Sequence, residues 1–320
     1  MAGRMVAPMT LKMILLLTEN ETMVPTPDVG DLVDMAVVAE AAGFDAVMIS
    51  EHIVLGPSAN EMGLAENPRD YALPGNQDPA TIWPSQLVLA SAVAQATTSL
   101  RVILGANISP LHHPLILAKD FGTLDTLSRG RLIVQPTVSW HRDEYDALGV
   151  DFTKRGAILD EQLEILTLAW TAGSGNSFSF HGQHFDFGDV WMEPQPFTPG
   201  GPPLWFGGSS LHGSLLRRLI RYGSGWNHLG AISDEDMVTL IQALATQGRS
   251  LAEIELVGGT RGQFSSPDSC SPLEPVLATI PAQVARGFGS ICIKPAQFID
   301  QLGEFRAFCD KVMEFSASLK

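Results

Sequence analysis

Short apolar runs recur along this chain, and between most of them the apolar positions fall at helical spacing. Residues 11–17, 44–50, 100–106, 131–138, 204–206, 225–229, 255–259 and 290–294 read as eight strands. Strands buried on both faces of a parallel sheet give continuous apolar runs of this kind. The clearest unit spans residues 130–170: an apolar strand, a polar loop bearing Trp140 and His141, and then a helix. In that helix Leu159, Leu163, Leu166 and Trp170 share one face, while Lys154, Arg155, Asp160, Glu161 and Glu164 take the other.

Further helices are expected at 30–43, 79–97, 112–128, 233–247, 272–287 and 298–319, and from Ser210 to about 222. The first has Leu32, Met35, Ala36 and Ala39 on one face and Gly43 as a C-terminal cap. Residues 51–78 form a long connection rich in Gly, Pro and Asn, a length that in a compact domain usually serves as a lid or pocket wall. Residues 173–203 contain FSFHGQHFDF and many prolines, and read as a small hairpin insertion. Eight strands alternating with helices predict an α/β fold, a closed (β/α)8 TIM barrel, as a single domain over residues 1–320. The alternative, an open doubly wound sheet, needs an early glycine-rich turn; the first turn is LTENETMVPTPDVG, without GxGxxG.

Composition narrows the class. A formal net charge of −15 disfavours nucleic acid and anionic membranes as partners, so an anionic ligand needs a local cationic or amide-lined pocket. Cys270, Cys292 and Cys309 are odd in number and lack CxxC spacing, which suits a reduced cytoplasm and neither a disulfide framework nor a zinc site. The apolar run at 11–17 is followed by Thr18-Glu19-Asn20-Glu21 without a small-residue cleavage pattern, and reads as a buried first strand. No run approaches the roughly 20 apolar residues of a membrane span.

In a barrel, chemistry gathers at the C-terminal ends of the strands. Those ends offer Ser50, Glu51 and His52; Asn107, Ile108 and Ser109; Thr137, Ser139, Trp140 and His141; Gly207 to Ser210; Asn227 and His228; and Lys294. An imidazole is the side chain suited to proton transfer near neutral pH, so His52 suits general acid/base work, or is a structural histidine. Glu51 beside it pairs with it or faces solvent. Gly207-Gly208-Ser209-Ser210 before a helix can cradle a phosphate on bare amides, with Arg217, Arg218 and Arg221 following, or is a plain turn with a serine cap. Trp140 and Trp226 wall a flat ring or belong to the core. His112-His113 and His181/His184 lack acidic partners at metal spacing, and GxSxG, Walker and HExxH motifs are absent. No metal is expected.

Taken together, FDAVMISEHIVLG, LRVILGANISPLHHPLILAKDFGTLDTLSRGRLIV, WHRDEYDALGVDFTKRGAILDEQLEILTLAWT, SFHGQHFDFGDVWMEPQPFTPGGPPLWFGGSS and the later GSGW resemble the bacterial luciferase-like monooxygenase superfamily. The likeness is closest to its coenzyme F420-dependent oxidoreductase branch and runs over roughly residues 10 to 300, in the family's order. It implies a (β/α)8 barrel holding F420, or alternatively FMN, at its mouth. It implies that Gly207, Gly208, Ser209 and Ser210 hold the cofactor phosphate. Ala106, Asn107 and Ile108 are implied to form a strand-three bulge, often with a non-prolyl cis peptide, behind the ring. Ser50-Glu51-His52 matches the family's frequent Ser-Asp-His, whose histidine often serves as acid/base; here Glu51 replaces the aspartate. Many relatives carry Gly-x-Gly-x-Gly-Trp at strand four, where this chain has Gln135-Pro136-Thr137-Val138-Ser139-Trp140; Trp140 and Glu144 match but the glycines do not.

The leading reading is hydride transfer between F420 and a small organic substrate, with His52 and Glu51 as catalytic residues and Asn107, Thr137, Ser139 and Trp140 lining the ring. The alternatives are an FMNH2-dependent monooxygenase of the same fold, supplied by a flavin or F420 reductase, and a flavin-binding protein without catalysis. Barrels of this kind often pair through outer helices, so a homodimer is expected.

Overall fold

The computed structural model describes residues 11–24, 28–228 and 232–319. The chain runs β1 (Lys12–Leu16), α1 (Gly30–Ala42), β2 (Ala46–Ile49), α2 (Gln86–Ala96), β3 (Arg101–Asn107), α3 (Pro114–Ser128), β4 (Leu132–Pro136), α4 (Arg142–Ala147) and α5 (Arg155–Thr171). It continues through β5 (Ser177–His181), β6 (Asp186–Trp191), β7 (Leu204–Gly207), α6 (Gly213–Tyr222), β8 (Gly223–Asn227) and α7 (Asp234–Thr246). It ends with β9 (Glu255–Gly259), α8 (Leu273–Leu277), α9 (Ile280–Ala285), β10 (Ser290–Ile293) and α10 (Phe305–Ser318).

Eight of these strands close a barrel in the order β1-β10-β9-β8-β7-β4-β3-β2, every pairing parallel. They correspond one for one to the eight predicted runs, and the open-sheet alternative falls; Leu229, the last residue of the predicted sixth run, lies outside the described residues. The antiparallel pair β5–β6 stands apart as the hairpin insertion. Alternation along the strands separates two apolar sets. Ile14, Leu16, Ala46, Met48, Ile103, Ile133, Trp205 and Val257 fill the barrel interior. Their neighbours Met13, Leu15, Val47, Val102, Leu132 and Val134 face the helices.

Three predicted helices are shorter than their periodicity suggested, and proline explains two. The helix expected at 79–97 begins at Gln86, because Pro84 disfavours helical geometry in the residue before it. The helix expected at 272–287 breaks into α8 and α9, since Pro281 has no N–H to continue the ladder. The last helix starts at Phe305, after a short 3-10 turn at Leu302–Glu304. The short α4 was not anticipated.

At the N-terminal end of the barrel, a polar cluster closes on itself. Arg101 forks onto both oxygens of Glu255 at 3.0 Å, Lys12 adds a contact at 3.1 Å, and the Ser290 hydroxyl donates to the same carboxylate. Burial pushes the Glu255 carboxyl upward, but the Arg101 fork, Ser290 and Lys12 outweigh it and hold it below the usual carboxylate range.

Candidate functional site

At the opposite end, β2 delivers Ser50, Glu51 and His52 into a strap, residues 50–85, that crosses the barrel mouth before α2 begins. His52 is buried, and its Nδ1 lies 3.2 Å from Oε2 of Glu144 in α4. Glu144 is fully buried, and its other oxygen accepts from the backbone N–H groups of Ile53 (2.5 Å) and Val54 (3.3 Å). Those donors replace the water that the carboxylate loses on burial. Since a carboxylate accepts, the His52 proton sits on Nδ1 and Nε2 is left for other work.

Aromatic rings enclose this imidazole. Trp83 meets it edge-on at 5.0 Å between centroids, Trp140 at 5.9 Å and His141 at 6.2 Å. His141 accepts from the Gly56 N–H through Nε2 at 2.7 Å, so its neutral ring carries the proton on Nδ1. Burial pushes the His141 pKa down, in favour of that neutral form. The His141 Nδ1 and the Trp83 Nε1 are buried, and neither has a partner among the described residues. Both rings pack against His52, so its surroundings hold two buried N–H donors whose hydrogen bonds are unmade among the described residues.

Glu51 has surroundings unlike those of a free proton carrier. One carboxylate oxygen accepts from the Ile108 N–H at 2.6 Å and from Asn107 Nδ2 at 3.0 Å; the other lies 3.2 Å from His112. Gln86 completes the cluster, donating to the carbonyls of Ile49 (2.7 Å) and Ala106 (3.2 Å) while accepting from Asn107 (3.1 Å). These contacts hold a bulge: the β3–β4 register shifts between Gly105 and Asn107, and the Gly105–Ala106 peptide is cis. Asn107 and Ile108 are buried behind the bulge, and Ala106 is half-exposed on it. The Thr137 N–H donates to the Asn107 carbonyl at 2.8 Å, which joins the bulge to the end of β4.

Thr137, Ser139 and Trp140 are half-buried along that rim. Ser139 has φ +55°, a left-handed conformation in which a serine is strained and a glycine is not. The backbone thus keeps a glycine geometry at a position where the resembling family often has glycine. Next along the rim, Gly207 and Gly208 are half-exposed, while Ser209 and Ser210 are exposed. A Cβ on Gly207 would fall 2.5 Å from the Gln135 side chain, which is itself held by Asn227 at 3.0 Å. A Cβ on Gly208 would fall 2.9 Å from Leu215.

Two expectations about this loop are corrected. The helix after it begins at Gly213 with His212 as its cap, not a serine. The arginines of α6 belong to α5: Arg217 and Arg218 pair with Asp160 at 3.1 and 2.7 Å, and Arg221 pairs with Glu164 at 3.0 Å. They sit on the outer helix layer, so backbone and serine hydroxyls are what the loop offers an anion.

Other candidates disperse. Trp226 and His228 are buried, and Ser109 donates to Asn107 at 2.9 Å. Lys294, nearly inaccessible, donates to the Asp70 carbonyl at 2.7 Å and so anchors the strap. His141 stood among the strand-end candidates, whereas Glu144, Trp83, Glu19 and Tyr71 were not singled out as site residues beforehand. Only Glu144 left a trace in the sequence, four residues after Trp140. Two concavities open on this face, one lined by Thr18–Glu21, Val24, Ile82 and Pro84, the other by Asn67, Asp70, Arg261 and Ser265; neither includes His52. Among the described residues, no group of three or more His, Cys, Asp or Glu side chains is placed to hold a metal ion, and no helix is long and apolar enough to cross a membrane.

Comparison with known proteins bears on the family and the fold. The family model for luciferase-like monooxygenases matches residues 10–265. An uncharacterized protein of Mycobacterium tuberculosis is 31% identical over 205 residues, which is 63% of this chain and 66%, just under two thirds, of that protein's length. The FMNH2-dependent dimethylsulfone monooxygenase of Pseudomonas putida is 26% identical over 210 residues, 64% of this chain and 56% of that one. Among solved structures, an F420-dependent secondary alcohol dehydrogenase in complex with an F420-acetone adduct superposes with a TM-score of 0.71 at 13% identity, covering 96% of this chain and 99% of that one. The monooxygenase RslO1 of Streptomyces bottropensis gives 0.68 at 19% identity, over 96% and 98% of the two chains. At these identities the structural likeness shows the fold.

Proposed function

The chain belongs to the luciferase-like monooxygenase family, a family of oxidoreductases, and from that premise we propose that it transfers hydride between coenzyme F420 and a small organic substrate at the rim just described. The observation that carries the reading is the His52–Glu144 pair. Hydride transfer to or from an oxygen-bearing carbon also moves a proton, and the pair supplies a carrier for it. Glu144 fixes the imidazole by Nδ1, which leaves Nε2 to take or give the proton. The bound cofactor supplies the hydride acceptor or donor.

The residues present fit such a group. Buried N–H donors without partners stand beside His52, and the rim from Ala106 through Thr137, Ser139 and Trp140 to Gly207–Ser210 is accessible. In this reading Ala106 presents the bulge to the ring, while Asn107 and Ile108 support it from behind. Gly207, Gly208, Ser209 and Ser210 hold the phosphate. Glu51 becomes a positioning residue: its carboxylate fixes the Ile108 N–H and the Asn107 amide, and through them the bulge.

The likeness to the dimethylsulfone monooxygenase supports a second reading, an FMNH2-dependent oxygenation on the same rim, with reduced flavin delivered by a partner reductase. Parallel absorbance titrations with F420 and FMN, followed by oxygen-uptake measurements with FMNH2, separate the two. The first reading expects tighter F420 binding and no oxygen uptake. Flavin-dependent oxygen uptake rejects it in favour of the second. Absence of binding by either cofactor rejects both.

A further inference from the structure

The strap is fastened by two limbs, and the groups that hold them differ. The second limb, residues 70–72, is tied by a guanidinium, a carbonyl and a carboxylate. Arg261 grips the Asp70 carboxylate at 2.7 Å, the Tyr71 hydroxyl donates to the Thr260 carbonyl at 2.8 Å, and the Ala72 N–H donates to Glu19 at 3.2 Å. The first limb, residues 53–58, lies on α4, where three side chains accept its backbone N–H groups. Glu144 takes Ile53 and Val54, Asp143 takes Ser58 at 2.9 Å, and His141 takes Gly56 through Nε2 at 2.7 Å. The approach is close enough to require glycine, since a Cβ on Gly56 would fall on the Asp143 side chain.

Of the three acceptors on α4, only His141 stops accepting when it gains a proton. A protonated carboxyl keeps lone pairs to accept with, whereas an imidazolium donates from both nitrogens. With the Gly56 N–H aimed at Nε2, a protonated His141 would set two donors against each other. Its Nδ1 offers no compensation, because it is buried without a partner among the described residues. The charged groups around the ring act both ways. Asp143 and Glu144 on α4 and Glu61 on the strap favour the charged ring, His52 opposes it, and burial, the largest effect, holds the ring neutral. A ring released from this contact returns toward the ordinary histidine value of about 6.5. Release therefore takes up a proton, and acid favours it by roughly tenfold for each pH unit below that value, until the lowered value is reached.

We propose that His141 is a pH-sensitive latch of the strap: neutral, it holds the first limb on α4 beside His52, and protonated, it lets that limb go. That the latch regulates the chemistry rests on the rim around His52 being the active site. The link is Glu144, which meets His52 with one oxygen and the N–H groups of the same limb with the other.

The test is hydrogen–deuterium exchange on the full chain at pH 7.5 and pH 5.5, corrected for intrinsic exchange rates and read on peptides covering each limb. F420 and FMN titrations are run beside it. In wild type, protection of the first limb is expected to fall about tenfold between the two pH values, while that of the second stays within about twofold. His141→Gln places a carbonyl that accepts without titrating, and should keep the first limb equally protected at both. If that variant does not fold, the contrast between the two wild-type limbs decides alone. Equal behaviour of the two limbs in wild type, or the same loss of protection in folded His141→Gln, overturns the proposal. Release of the first limb in a protein that binds neither cofactor at pH 7.5 leaves the latch in place and rejects the hydride-transfer reading instead.

Discussion

The two ends of the barrel handle buried polar groups differently. At the N-terminal end, Glu255 is met by Arg101, Lys12 and Ser290, so a charged residue carries its own neutralisation. At the C-terminal end, the Trp83 and His141 rings bury N–H groups without partners among the described residues, and the His52 Nε2 has none there either. Both ends use the same strands and the same apolar packing. The contrast is that between a joint and a site: a closed hydrogen-bond network favours one rigid arrangement, and an open one leaves room for a partner from outside. Glu144 and Glu51 stand between the two kinds. Each is a buried carboxylate saturated by backbone and side-chain donors, and each holds a group that faces the open rim.

Exchanging the character of the two ends should therefore give opposite effects. The largest is expected at His52. Removing the imidazole in His52→Ala should lower turnover by about 10² to 10⁴-fold while leaving cofactor affinity within about threefold, as read from steady-state kinetics beside a binding titration. Equal losses in both would reassign His52 to binding. At the other end, Glu255→Ala leaves Arg101 and Lys12 facing each other without a counter-charge, and should reduce stability by about 2 kcal/mol in urea unfolding. Turnover per folded molecule should not change; a drop in it would mean that the closed end is coupled to the chemistry.

The smallest effect concerns Glu40, outside both ends. Burial works against its charge, but the N–H groups of Ser99, Leu100 and Thr98 and the Ser99 hydroxyl prevail and hold its carboxyl down to about 2. A carboxyl depressed on folding contributes stability above its unfolded value of about 4.3, and that contribution fades as pH falls toward the folded value. Screened by solvent, it should amount to about 1 kcal/mol at neutral pH. The stability gap between wild type and Glu40→Ala should accordingly shrink between pH 5 and pH 2.5, and a gap independent of pH would show that the hydrogen bonds contribute without the charge.

Much of the fold was legible because strand and helix are local periodicities. Eight apolar runs with helical spacing between them leave few ways to bury both faces of every strand, and a closed parallel barrel is one. Two of the misread helices share a local cause: helical spacing continued across Pro84 and Pro281, and the backbone there could not follow it. The strand ends also placed His52, Asn107, Thr137, Trp140 and Gly207 on one rim before any coordinates.

The partners of those residues lay out of reach of the sequence. His52 meets Glu144 across 92 positions, Glu51 meets Ile108 across 57, and Lys294 meets Asp70 across 224. No spacing rule connects such pairs, because barrel closure and the path of the strap bring them together. The sequence by itself determined the barrel, its anionic surface and which residues crowd its mouth. Only the tertiary structure decided that Glu51 braces a bulge, that the arginines of α6 serve α5 and that Lys294 holds the strap. A side chain's role follows from what is packed against it, and packing is settled only when distant segments meet.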